Sequence, residues 1–340
     1  EYMSPLGLAE SCRMTYPVPY RSARTRSRSN SNRKDLDAIK QNLKDTIVRA
    51  DQYGFYDSTT KEKEAEIFSE LDDLHTAIDR YDSLRTTNKA DYSIRSIEQF
   101  YNLKAKYLLR TLRDKSRKWG KDVIEEEMQT IENSLLSLIS FGKTPERYSI
   151  LASAYKKLGS IRNLSRGLSD SIPSKLNYLS KAREYYLKAY KHKGLTKLSG
   201  QVYPLSNFLA LHAILGGGAS YDLDKKKEPI KSFLDKKIKD LQGSFTRHKE
   251  FWDDISLINL LQAKLYYTPI SQLKNATNAI LVLYESTQKE GGFTPKNLQT
   301  EIEQAEFMLD FQSKNESKDW NDAFKENINK VKSTLEGYRV

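Results

Sequence analysis

Two short patterns, Tyr148-x-x-Leu151-Ala152-x-x-Tyr155 and Ala182-x-x-x-Tyr186-x-x-Ala189, constrain the fold of this chain more than any other feature. Each repeats apolar or small residues at steps of three and four, which places them along one stripe of a helix. Tyr148, Leu151, Tyr155 and Leu158 share one stripe, and Leu179, Ala182, Tyr186 and Ala189 share another. Ala152 and Ala182 let two backbones approach closely, while the aromatics fill the space beside them. A single pair of helices cannot bury both stripes against water. The patterns therefore predict one unit of a stacked array of antiparallel helical hairpins.

The rest of the chain reads in the same way. Nine prolines and 15 glycines in 340 residues leave room for helices almost everywhere. Asp35 suits the N-cap of a helix carrying Leu36, Ile39, Leu43, Ile47 and Ala50. A second helix is expected from Lys61 to Leu84, a third from Asp91 or Ser93 through Leu112, and a fourth through Ile124, Met128, Ile131, Leu135 and Leu138. The two halves of the central unit stand about 18 residues further apart than in a regular repeat. Gly159, Gly167, Pro173 and five serines fill that excess. An insertion projecting at 160–174, either a loop or an extended first helix with a loop, is the expectation. Beyond it, helices are expected at Tyr203–Leu215, Pro229–Leu241, Phe251–Tyr266, around Ala276 to Leu283, Lys296–Phe311 and Asp319–Leu335. Trp252, three residues before Ile255, imitates the aromatic that opens a repeat. The organisation predicted is a leader at 1–34, N-terminal hairpins at 35–141 and the repeat array at 142–336.

The net charge of +11 is concentrated. Arg21, Arg24, Arg26, Arg28, Arg33 and Lys34 follow one another without an intervening acid, and they supply more than half of it. Such a run among serines repels itself and predicts an extended or disordered leader. A linker is the plainer reading. A nucleic-acid arm, with Arg21, Arg24, Arg26, Arg28 and Arg33 as candidate contacts, is the alternative. The lysines at Lys225, Lys226, Lys227, Lys231, Lys236, Lys237 and Lys239 alternate with acids, as on a solvated helix face. Cys12 is the only cysteine, so no intrachain disulfide forms, and the expected setting is cytoplasmic by default. No run reaches the roughly 20 apolar residues of a membrane span. The chain starts at Glu1 and reads as a piece of a longer polypeptide.

Chemistry-bearing motifs dissolve on inspection. Gly142-Lys143-Thr144 resembles the end of a phosphate loop but lacks the glycine five residues earlier, and Pro145 follows it. Gly216-Gly217-Gly218 has no following Lys-Ser/Thr and reads as a helix terminus. His75, His192, His212 and His248 are scattered, so no metal site is expected, and Cys12 has no partner base. No cofactor and no catalytic residue is predicted.

With those residues in view, the chain resembles tetratricopeptide repeat proteins. Ser93 to Phe100, Gly142 to Arg147 and Leu151 to Leu158 are similar to the helical region of bacterial repeat proteins associated with caspase-like (CHAT-type) peptidases. Ala182 to Tyr190, Tyr203 to Ala210 and Phe251 to Asp254 are similar in order to the TRAF-binding region of MAP kinase kinase kinases. The resemblance implies an all-α, right-handed solenoid whose repeat positions are Tyr148, Leu151, Ala152, Tyr155, Ala182, Tyr186, Ala189 and Trp252. It also implies a scaffold or regulatory module of signalling or defence, binding a protein partner on its concave helical surface. Such a module would govern an effector whose catalytic domain lies outside this chain.

Overall fold

The computed structural model describes residues 58–87, 93–165, 167–194, 198–222, 227–244, 251–290, 293–314 and 316–338, with a few positions between 38 and 46. The Arg/Ser leader, most of the helix expected from Asp35, Lys225, Lys226 and His248 lie outside the described residues. Within them the chain is all-α apart from one two-stranded ribbon. It divides into two compact units, residues 1–100, 286–302 and 335–340 in one and residues 101–285 and 303–334 in the other.

In the first unit, α1 (Ser58–Glu70) and α2 (Leu74–Thr87) replace the single helix expected from Lys61 to Leu84. Ala65, Phe68, Leu71, Leu74, Ala77, Tyr81 and Leu84 are all buried, so the apolar stripe continues across the break and conceals it. The break itself is polar. Asp72 takes a left-handed φ of 61°, which Asp tolerates better than most residues. Asp73 N donates to the Phe68 carbonyl at 2.9 Å, closing α1 as a Schellman-type turn does. Asp73 then caps α2 by accepting from Thr76 N at 3.2 Å. Next, α3 (Ile94–Arg113) starts at Ser93, whose Oγ accepts from Ser96 N at 3.0 Å.

The second unit carries the central hairpin. Here α4 (Lys121–Ser140) buries Ile124, Met128, Ile131, Leu135 and Leu138, a series spaced alternately four and three. Then α5 (Pro145–Leu164) opens on Thr144, whose side chain accepts from Arg147 N, with Pro145 in the first turn. The residues that imitated a phosphate loop are thus a helix cap. Its partner α6 (Lys175–Tyr190) is capped by Ser174 in the same manner. The two run antiparallel: Tyr148 meets Tyr185 with ring centroids 6.0 Å apart, while Gly159 faces Leu179.

Gly159 marks the closest approach. A Cβ there would stand 2.9 Å from Leu179 Cδ2 and 3.4 Å from the Lys175 carbonyl oxygen. Gly159→Leu is therefore expected to lower the unfolding free energy by roughly 2–3 kcal/mol, as overpacking of tight interiors does. Denaturant titration would measure it. A loss no larger than that of Gly159→Ala would show that the helices can separate.

The expected insertion takes its second form, an extended first helix with a loop, though it does not project. Residues 160–164 continue α5, with Ser160 and Ile161 buried, and the loop after them folds back rather than projecting. Leu168 and Ile172 are buried. Ser169 donates from its backbone N to Glu125 Oε1 at 2.5 Å and from its Oγ to Oε2 at 2.8 Å. Those two hydrogen bonds hold the Glu125 carboxyl below its ordinary pKa. Backbone groups of a loop need partners, and α4 supplies one.

Further on, α7 (Leu198–Ile214) begins before the expected Tyr203 and accommodates Pro204 within the helix. After the three glycines, β1 (Ser220–Asp222) and β2 (Lys227–Pro229) pair antiparallel with Tyr221 opposite Glu228, a ribbon too short to leave a periodic signal. The remaining helices are α8 (Ile230–Ser244), α9 (Phe251–Leu265), α10 (Ile270–Glu290), α11 (Pro295–Asp310) and α12 (Lys318–Gly337). Within the second unit, α12 is fastened to the turn after α9 by a Trp320 Nε1 bond to the Thr268 carbonyl at 2.9 Å. Tyr266 Oη likewise donates to the Phe311 carbonyl at 3.1 Å.

Candidate functional site

The repeat positions divide into two kinds. Leu151, Ala152, Tyr155, Ala182, Tyr186 and Ala189 are buried. Tyr148 is half-buried, its ring against Tyr185 and His192. Trp252 is 60% exposed and rests edge-on against Phe251. It does not act as a core knob, which corrects the expectation for it. It occupies the first turn of α9, one turn ahead of Ile255 and Ile258, which carry the burial of that helix.

These aromatics form the seam between α5 and α6. Tyr155 stacks on Tyr185 at 5.7 Å and tilts against Tyr178 at 6.1 Å. Its hydroxyl donates to Glu132 Oε1 on α4 at 3.1 Å, and Lys181 of α6 reaches the same oxygen at 2.6 Å. Tyr186 is fully buried, with its hydroxyl 3.2 Å from that of Tyr203 on α7.

A different face of the same helices gathers charge. On α3, Lys106, Arg110 and Arg113 stand at i, i+4 and i+7, hence on one side of the helix. The C-terminal half of α11 meets them with acids. Glu303 accepts from Arg110 Nε at 2.6 Å and lies 3.6 Å from Lys106 Nζ. Arg113 forks between Glu306, at 2.6 Å, and Asp310. Pairs appear in the same order along both helices, so α11 runs parallel to α3. On α5, Lys156 Nζ donates to Gln304 Oε1 at 2.6 Å and to Asn207 of α7 at 2.8 Å, with the Phe307 ring centroid 4.5 Å away. Lys157 Nζ reaches Asn102 of α3 at 3.0 Å and Ser153 at 2.7 Å. One face of α3 and α5 thus holds a helix, and Asn207 of α7 holds Lys156.

Electrostatics follow from that crowding. Burial lowers the Lys157 pKa to about 8; Glu303 opposes the shift and Lys106 adds to it. Burial raises the Glu303 carboxyl, but Lys106 and Arg110 outweigh it and hold the group below its ordinary value. Asp310 goes the other way. Burial lifts it, Arg113 opposes, and the neighbouring Glu306 adds to the rise. Lys106, Arg110 and Arg113 thus meet the acids of α11, while Lys156 and Lys157 meet amides and a hydroxyl.

None of these ion-pairing residues was singled out from sequence. The signal was charge segregation: after Glu98 the helix α3 carries only basic charges through Arg113, whereas α11 carries Glu301, Glu303, Glu306 and Asp310 against a single Lys296. The triple glycine has a packing role. Gly216 adopts a φ of 79°, and a Cβ on Gly217 would stand 2.3 Å from the His212 ring. His212 is buried between Phe208 and Tyr221, and burial lowers its pKa. No group of His, Cys, Asp and Glu among the described residues could hold a metal ion. No helix among them is long and apolar enough to cross a membrane.

Paired antiparallel helices with small residues at close approaches and aromatic knobs beside them mark a tetratricopeptide-type helical repeat region. The family model described as Tetratricopeptide Repeats-Sensor matches residues 93–212, from the cap of α3 to the last turn of α7. No curated protein and no solved structure matches the chain.

Proposed function

We propose that this chain is a scaffold or regulatory module that binds a protein partner through the face shared by α3, α5 and α7. One observation carries the reading: that face engages a helix, α11, through side chains of α3 and α5, with Asn207 of α7 holding Lys156. In stacked helical hairpins the first helices line an inner surface suited to extended or helical ligands. The resemblance to CHAT-associated repeats and to the central region of MAP kinase kinase kinases suggests an effector in signalling or defence, such as a caspase-like peptidase. A helical repeat array presents a long binding surface, which suits the regulation of such chemistry by a partner contact.

Photo-crosslinking tests this. Ser149, Ser153 and Lys156 share a stripe of α5, whereas Glu184 is exposed on α6. A photoreactive side chain at Ser149 is expected to trap a discrete protein in a lysate of the native host, and one at Glu184 is not. Adducts from Glu184 alone would overturn the placement. If the chain instead serves a nucleic acid through its leader, binding should weaken with salt by a slope near −0.9 per phosphate contact. It should then vanish when Arg21, Arg24, Arg26, Arg28 and Arg33 become Ser, with no protein adduct at either position.

A further inference from the structure

Thr144 opens the run Thr144-Pro145-Glu146-Arg147, a hydroxyl followed at once by proline and three positions on by a cation. Proline-directed protein kinases read such a run. Their cleft takes a residue with no N–H to satisfy after the acceptor, and an anionic patch pairs the cation further on. Ser4, Thr268 and Thr294 also precede proline, but none has a cation three residues later, and Thr268 is buried. Thr144 is exposed, and its backbone is extended, with φ −100° and ψ 154°, the form in which a kinase cleft holds a substrate.

Its surroundings are cationic. Gly194 N donates to His192 Nδ1 at 3.0 Å, so Nε2 carries the proton and donates at 2.8 Å to the Lys143 carbonyl, the peptide that leads into Thr144. A Cβ on Gly194 would stand 4.0 Å from Pro145 Cγ. The end of α6 thus lies against the turn between α4 and α5. Lys191 and Lys193, which flank His192, join Lys143 there, and all three are exposed. Among the described residues none of the three meets a carboxylate. Glu146 is the one acid within 141–147 and 188–194. Cations suit the C-terminal end of α6, but Lys143 precedes the positive end of α5, where the helix dipole disfavours it. An anion at Thr144 would account for its charge.

We propose that Thr144 is a phosphorylation site for a proline-directed kinase, and that Lys143, Lys191 and Lys193 receive its phosphate, fastening the start of α5 to the end of α6. Thr144 Oγ1 attacks the γ-phosphorus of a nucleoside triphosphate. The new P–O bond forms as the bond to the departing nucleoside diphosphate breaks, and the hydroxyl proton passes to the kinase's base. The product carries a charge of about −1.5 to −2 and three acceptor oxygens, so it can keep Arg147 N capped and pair lysines as well. This inference goes beyond the partner-binding reading and does not depend on which face of the array holds a partner.

The test treats the full chain with a cyclin-dependent kinase and magnesium–ATP and maps phosphate by fragmentation mass spectrometry. Thr144 is expected to be modified, and to stay unmodified in Pro145→Ala. Phosphorylation should slow amide exchange at residues 141–148 and 190–194 at least about threefold, as new charge-assisted bonds do, and added salt should erase the slowing. With Lys143→Gln, Lys191→Gln and Lys193→Gln combined, Thr144 should still take phosphate but exchange should not slow. Thr144→Asn, which keeps an N-cap without a phosphate acceptor, should exchange as the unmodified chain does after the same treatment. If Thr144 stays unmodified in the wild-type chain, the assignment of the site fails. If phosphate at Thr144 leaves exchange unchanged or speeds it, the lysines do not receive it and the proposal is overturned.

Discussion

Replacing Tyr186 with Ala is expected to lower the unfolding free energy by about 3–5 kcal/mol, the usual cost of deleting a fully buried aromatic. Its ring is fully buried and meets Tyr203 of α7 edge-on at 5.8 Å. Burial pushes its hydroxyl well above the ordinary tyrosine pKa, and Tyr203 adds to the rise. Tyr186→Phe should keep the ring and lose only the hydroxyl contact, at about 0.5–1.5 kcal/mol. Chemical denaturation of both variants measures the difference. If Tyr186→Ala lost under 1 kcal/mol, the seam between the second helix of the hairpin and α7 would not hold the repeat together.

That seam is the part of the fold most legible in the sequence. Alanine and tyrosine at helical spacing leave few alternatives, because small residues set how close two helices come and large ones fill what remains. Helix starts were equally clear where chemistry is local. Thr144-Pro145 and Ser93 cap helices through hydrogen bonds to their own neighbours three residues on. Breaks hidden inside a continuous apolar stripe were not legible. Asp72 and Asp73 interrupt a helix whose core residues keep their period from Phe68 to Tyr81, so periodicity reads straight through them. The loop after Leu164 looked like a projection because serine and glycine mark turns. Its attachment depends on Glu125, which lies 44 positions before Ser169. Trp252 shows the opposite error, an aromatic at the expected spacing that stays 60% exposed. The charged face joins α3 to α11 across 193 positions, and no local pattern pairs residues that distant. Only the segregation of basic and acidic helices hinted at it.

Glu303→Ala is expected to lower stability by about 3–5 kcal/mol, because it removes an acid that Lys106 and Arg110 share at a partly buried site. The sign of the pH dependence identifies the cause. The folded pKa of Glu303 lies below its unfolded value of 4.5, so its stabilising contribution is present above pH 4.5 and is lost as pH falls through the folded value. In Glu303→Gln, which keeps the size and a hydrogen-bonding oxygen, that acid-side slope should shrink while stability at neutral pH still falls. Lys157 supplies an independent readout. Glu303 now opposes the burial that brings its amine to about 8, so removing the carboxylate should drive that value lower still. Titrating the Lys157 amine by its rate of reductive methylation would follow the change. An unchanged Lys157 titration alongside an unchanged acid limb would mean that Glu303 does not set the charge balance of this face. The ion pairs to α3 would then be incidental to how α11 is held.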